Sequence, residues 1–137
     1  VVLVHGLGTS SLYIVPTAVR LAQDFRVYAP DLPGFGHSSK PSHALDLPAL
    51  AEALQSWMSA AGIEAADMVG NSLGCQVIAE FGVRYPERLT RAVLQGPTID
   101  GYARTTIRQM ARFLRDLPRE RIPEYAINSH DYWRTGV

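Results

Sequence analysis

One cysteine, Cys75, stands in 137 residues, so no internal disulfide framework can hold the chain together. That fits a reducing compartment, and a cytoplasmic location is the expectation. An excess of charge is also missing. Thirteen Lys plus Arg balance 13 Asp plus Glu, which removes the electrostatic reason to expect nucleic acid or an anionic membrane as partner. No run approaches the ~20 apolar residues that span a bilayer, and no basic stretch followed by an apolar core opens the chain. There are no internal repeats and no low-complexity tract. An initiator Met is missing, Val1-Val2-Leu3-Val4 begins inside a β-branched run, and Tyr132 to Val137 shows no natural stop. The chain therefore reads as an internal fragment. What it does have is 47% apolar and 19% charged residues, the composition of a globular protein able to bury a core.

The apolar run Val1 to Val4 predicts a strand buried on both faces of a parallel sheet. His5 to Ser11 follows as a loop. A helix is then expected up to Asp24, with Val15, Val19 and Ala22 on its apolar side and Pro16 in its first turn. Phe25 to Ala29 predicts a second strand stopped by Pro30, and Asp31 to Pro41 is turn-rich loop. Leu47, Leu50, Ala51, Leu54, Trp57, Met58 and Ala61 recur at 3.6-residue spacing and predict a helix capped by Asp46, with Pro48 in its first turn and Gly62 ending it. Ala66 to Val69 predicts the third strand. A helix carrying Val77, Ile78, Phe81 and Tyr85 inward runs to Pro86, and Ala92 to Leu94 predicts the fourth strand. The order β-α-β-α-β-α-β implies an α/β fold with a doubly wound parallel sheet and right-handed crossovers. From Asp100 the rhythm changes. Ile107, Met110, Ala111, Leu114 and Leu117 define an amphipathic helix with Arg104, Arg108, Arg112 and Arg115 on its other faces. Two parts are expected: a core over residues 1–99 and the start of a helical cap over 100–137.

Gly70-Asn71-Ser72-Leu73-Gly74 matches G-x-S-x-G between a predicted strand and a predicted helix, the context that gives the pattern meaning. A serine projecting from a tight strand-to-helix turn needs glycine two residues before and two after, where side chains would clash. The turn also sets Ser72 at a helix N-terminus, where free amides and the helix dipole favour developing negative charge. The alternative is a plain capping loop, but a cap needs no glycine on both sides.

Three motifs occur in order: His5-Gly6-Leu7-Gly8, Asp31-Leu32-Pro33-Gly34-Phe35-Gly36-His37-Ser38 and Gly70-Asn71-Ser72-Leu73-Gly74. On these motifs the chain resembles the α/β-hydrolase superfamily from its third core strand through its sixth, plus the first part of the cap. The resemblance implies a serine hydrolase acting on an ester or related acyl bond of a small molecule, with Ser72 as nucleophile and no metal or organic cofactor. It implies an oxyanion hole from the amides of Leu73 and Leu7, with Gly8 as alternative to Leu7. His5 then supports the oxyanion loop, together with Gly6, Gly8, Gly70, Asn71 and Gly74 as supporting positions. The family order is Ser, then Asp or Glu, then His. The histidine base and the usual acid are expected beyond this chain. Asp100 is a minor candidate acid, because some relatives place the acid after the strand ending at Leu94. Its other role is a helix cap.

Asn71 before the serine is similar to carbon–carbon bond hydrolases and their lactonase relatives, and cofactor-free haloperoxidases of the same fold stay open. A non-catalytic ligand-binding relative is a further reading. A dinucleotide-binding module would use Gly6 and Gly8 after a first strand and Asp31 as ribose-binding acid, but Ser11 replaces the third glycine and the Gly70–Gly74 turn is left unexplained. His37 and His43 are expected to be solvated, His130 to lie in the cap, and Cys75 to pack behind the serine turn.

Overall fold

The computed structural model of the chain describes residues 1–97 and 105–116. The chain divides into two compact units, Val1–Thr98 and Ile99–Gly136. In the first, strands β1 (Val2–Val4), β2 (Ala66–Asn71) and β3 (Leu89–Gln95) form a parallel sheet in the order β1-β2-β3. Helices α1 (Ser11–Leu21), α2 (Leu47–Ala60) and α3 (Leu73–Arg84) make the crossovers. In the second unit, α4 (Thr106–Asp116) exposes Ile107, Met110 and Leu114. No helix among the described residues is long and apolar enough to cross a membrane.

β1 is the expected buried strand. Val2, Leu3 and Val4 are all inaccessible, so both faces of the run are covered. Val2 pairs with Met68 of β2 and, on the other edge, bridges to Tyr28. The expected second strand over Phe25–Ala29 is therefore reduced to one bridge. Val1 N donates to Arg26 O, Tyr28 N to Val1 O and Leu3 N to Tyr28 O, and past Tyr28 the pairing stops. Pro30 has no N–H to extend it, and β1 offers only three residues.

Helix α2 follows its sequence pattern. Asp46 caps it by accepting from Ala49 N at 2.9 Å, and Leu50, Ala51, Leu54 and Met58 are buried. They meet Val77, Ile78 and Phe81 of α3 in one apolar cluster. Helix α1 departs from expectation. Its inward stripe is Ile14, Ala18 and Leu21, whereas Val15 and Val19 are exposed. Apolar residues surround much of this helix, so their period does not select a face. Pro16 stands in its interior, not its first turn. Its fixed φ suits a helix, and the one bond it forgoes would end on Leu12, an exposed residue.

Candidate active site

Ser72 sits where β2 gives way to α3, as the N-cap residue of that helix. Its φ is 52°, the only positive φ at a non-glycine among the described residues. Holding such a backbone costs on the order of 1–3 kcal/mol, so the surroundings must over-determine it. They do. Ser72 N donates to Gln95 O at 3.0 Å, tying the turn to the end of β3. A Cβ on Gly70 would lie 2.7 Å from the backbone of Gly74, and one on Gly74 would overlap the carbonyl oxygen of Val4 in β1. Both glycines of the motif are thus demanded by backbone approaching backbone.

The loop after β1 reaches the same point. A Cβ on Gly6 would lie 3.2 Å from Ser72 Cβ and 3.1 Å from Asn71 Oδ1, so the His5–Gly8 loop lies directly against the serine turn. This loop is pinned from behind by His5, which is fully buried. His5 Nε2 accepts from Leu32 N at 3.0 Å, which leaves Nδ1 to carry the proton and donate to Gly6 O at 2.9 Å. Burial lowers the His5 pKa below its ordinary value; the Gly6 carbonyl and the Asp31 charge only partly oppose this. Phe35 packs edge-on against the ring. With both nitrogens engaged on backbone, His5 is not a base for Ser72.

Thr9, buried, donates its hydroxyl to the same Gly6 oxygen at 3.0 Å. Two donors therefore fix the Gly6–Leu7 peptide. In a trans peptide the N–H points opposite to the C=O, so the Leu7 amide is aimed away from His5 and Thr9. Sequence reasoning did not single out Thr9, since a threonine in a loop gives no signal of its partner. Thr9→Val is expected to lower stability by about 1 kcal/mol, read as a lower urea midpoint with unchanged m-value, while Thr9→Ser stays near wild type.

Asp31 is the other residue whose role the sequence did not disclose. Its carboxylate accepts from Ser11 N at 2.7 Å and from His37 N at 2.8 Å, and its carbonyl accepts from Ser38 Oγ at 2.6 Å. Burial raises its pKa, but these hydrogen bonds outweigh burial and the net shift is downward. A carboxylate already spent on two amides of this chain argues against the ribose-binding reading. Cys75 is buried behind the turn, its thiol directed at Gly70 O and Gln95 O, and burial pushes its pKa up. Leu7 is exposed, Leu73 half-buried, and Gly8 adopts φ 71°. His37 and His43 are exposed. Asp100, Arg104 and His130 lie outside the described residues, as do Leu117 and the proposed cap beyond it. No described histidine hydrogen-bonds Ser72, and no group of three metal-ligating side chains occurs among the described residues.

The sequence is 39% identical over 98 residues to a 2-hydroxymuconate semialdehyde hydrolase of Pseudomonas putida, covering 69% of this chain and 34% of that protein. It is 37% identical over 97 residues to the carboxylesterase YbfK of Bacillus subtilis, covering 70% and 33%. Among solved structures, it is similar to the meta-cleavage product hydrolase CumD of Pseudomonas fluorescens, with TM-score 0.67 and 32% identity over 70% of this chain and 37% of that one. It is also similar to a thermophilic esterase of Thermogutta terrifontis, with TM-score 0.66 and 30% identity over 68% and 35%. The chain spans about a third of the length of these relatives. The family model of the α/β-hydrolase fold matches residues 1–134. The strand–serine–helix turn, the loop set against it and this match together place the chain in the α/β-hydrolase fold family.

Proposed function

We propose that Ser72 is the nucleophile of an acyl-transfer hydrolase and that the amides of Leu73 and Leu7 receive the oxyanion. The observation that carries this is the positive-φ serine at the head of α3 with Gly6 packed against it. Leu73 is the first residue of α3, where a helix leaves its N–H without an intrahelical acceptor. The Leu7 amide is turned away from His5 and Thr9 by the hydrogen bonds on Gly6 O. In the reaction Ser72 Oγ bonds to the ester carbonyl carbon, charge collects on the carbonyl oxygen, and the C–O bond to the alcohol breaks. The serine proton ends on the departing alcohol. Water then cleaves the acyl-enzyme to acid and free serine.

Carbon–carbon hydrolysis, lactone opening and haloperoxidation would draw on the same turn. Resemblance to both an esterase and ring-cleavage hydrolases leaves these as the second reading. His5, with both nitrogens spent on the backbone, supports the loop in either case.

The experiment is labelling of the full-length protein by an alkyl fluorophosphonate followed by peptide mapping. The label is expected on Ser72 and absent from Ser72→Ala. A label placed on another serine, with Ser72 unmodified, would remove the proposal.

A further inference from the structure

A cleft of about 780 Å³ opens beside the serine turn. Leu7 and Leu73, the two residues whose amides are assigned to the oxyanion, form part of its wall. The rest is supplied by the stretch from Pro33 into the first turn of α2, chiefly Phe35, Leu45 and Leu47, with buried Leu50 behind them, and by Gln76 of α3. Its size lies within the ~300–1,000 Å³ of small-molecule sites.

The ionisable residues of its lining are Lys40, His43 and Asp46, and all three are exposed. Lys40 Nζ donates to Gly36 O at 2.8 Å. Asp46 caps α2, and His43 faces Ser42 Oγ at 3.4 Å. Among the described residues the charges of the lining therefore sit at the solvent margin, one cation and one anion, while the more buried wall is hydrocarbon apart from the amide of half-buried Gln76. A carboxylate placed against that wall would lose water and meet at most the neutral amide of Gln76, the one cation, Lys40, standing at the exposed margin.

Resting on the assignment of Ser72, we infer that this cleft takes an uncharged apolar acyl group. The bond cut is then that of an ester of a neutral aliphatic or aryl acid, not of a substrate whose acyl part carries a carboxylate.

The test uses the full-length protein with methyl-labelled leucine and two probes resistant to hydrolysis, octanamide and the monoamide of octanedioic acid. Octanamide is expected to shift the methyl signals of Leu45, Leu47 and Leu73, and the carboxylate-bearing probe to bind at least about tenfold more weakly. Ala44→Arg, at an exposed wall position and so compatible with folding, is expected to narrow or reverse that gap. Equal or tighter binding of the carboxylate probe to the unmodified chain would overturn the inference. So would an absence of leucine shifts with octanamide.

Fluorophosphonate labelling of Ser72 is followed in parallel on the full-length protein, since a serine hydroxyl reacts only beside its base and that histidine is expected outside these residues. Binding of octanamide without any labelling at Ser72 would remove the hydrolase assignment and the acyl identity with it. Labelling without octanamide shifts would leave the hydrolase and remove the apolar cleft.

Discussion

Gly74→Ala is expected to destabilise the first unit by about 3 kcal/mol or more, and to abolish labelling of the full-length protein at Ser72 by a fluorophosphonate. The added methyl would overlap the carbonyl oxygen of Val4 and lie 2.9 Å from that of His5. These are backbone atoms of β1 and of the loop that follows it, so no rotamer change makes room. Relief requires α3 to move away from the sheet, and α3 carries Val77, Ile78 and Phe81 into the core. The same movement would carry the serine turn away from Gly6. Urea unfolding gives the stability change, and peptide mapping gives the loss of label. A midpoint within 0.5 M of wild type, roughly 1 kcal/mol for a domain of this size, would show that the contact is soft.

His5→Leu is expected to cost about 1–3 kcal/mol, because burial leaves Leu32 N–H without an acceptor. Gly6 O keeps Thr9, so that end of the loop is damaged less. The same residue sets a pH dependence. The folded-state pKa of His5 is lowered, so the unfolded chain binds more protons once pH falls below the ordinary histidine value of about 6.5. Its contribution is complete above that pH and is lost progressively as acidification continues toward the lower folded-state pKa. Asp31, also lowered, adds a second loss below about 3.8. Urea midpoints measured from pH 7.5 to 5 are expected to fall for the wild type and to fall less for His5→Leu. A flat wild-type profile would contradict a buried, neutral His5.

The serine turn was legible because its requirements are local. Glycine at 70 and 74 is set by atoms within a few residues or on the adjacent strand, and the five-residue pattern records it. Helix α2 was equally plain, since one apolar face at constant spacing admits a single orientation. Helix α1 was not. Leu12, Tyr13, Ile14, Val15, Val19 and Leu21 leave several faces apolar, and only packing on the sheet chose Ile14 and Leu21 over Val15 and Val19. The Phe25–Ala29 segment has the composition of a strand, but pairing depends on what β1 and Pro30 can offer. The partners of Asp31 and His5 lie up to 20 and 27 residues away. A loop residue of that kind announces that it is polar, not which amide it will hold.

The grip of Asp31 has a consequence for redesign. One carboxylate fastens Ser11, just past the Gly6–Gly8 loop, to His37, in the segment that walls the cleft. On the proposed assignment, recognition and chemistry would share that frame. Trading Phe35 or its neighbours to admit a different acid would be transmitted through that frame to the peptide at Leu7, so selectivity and turnover would change together unless the carboxylate and its two amides are left untouched.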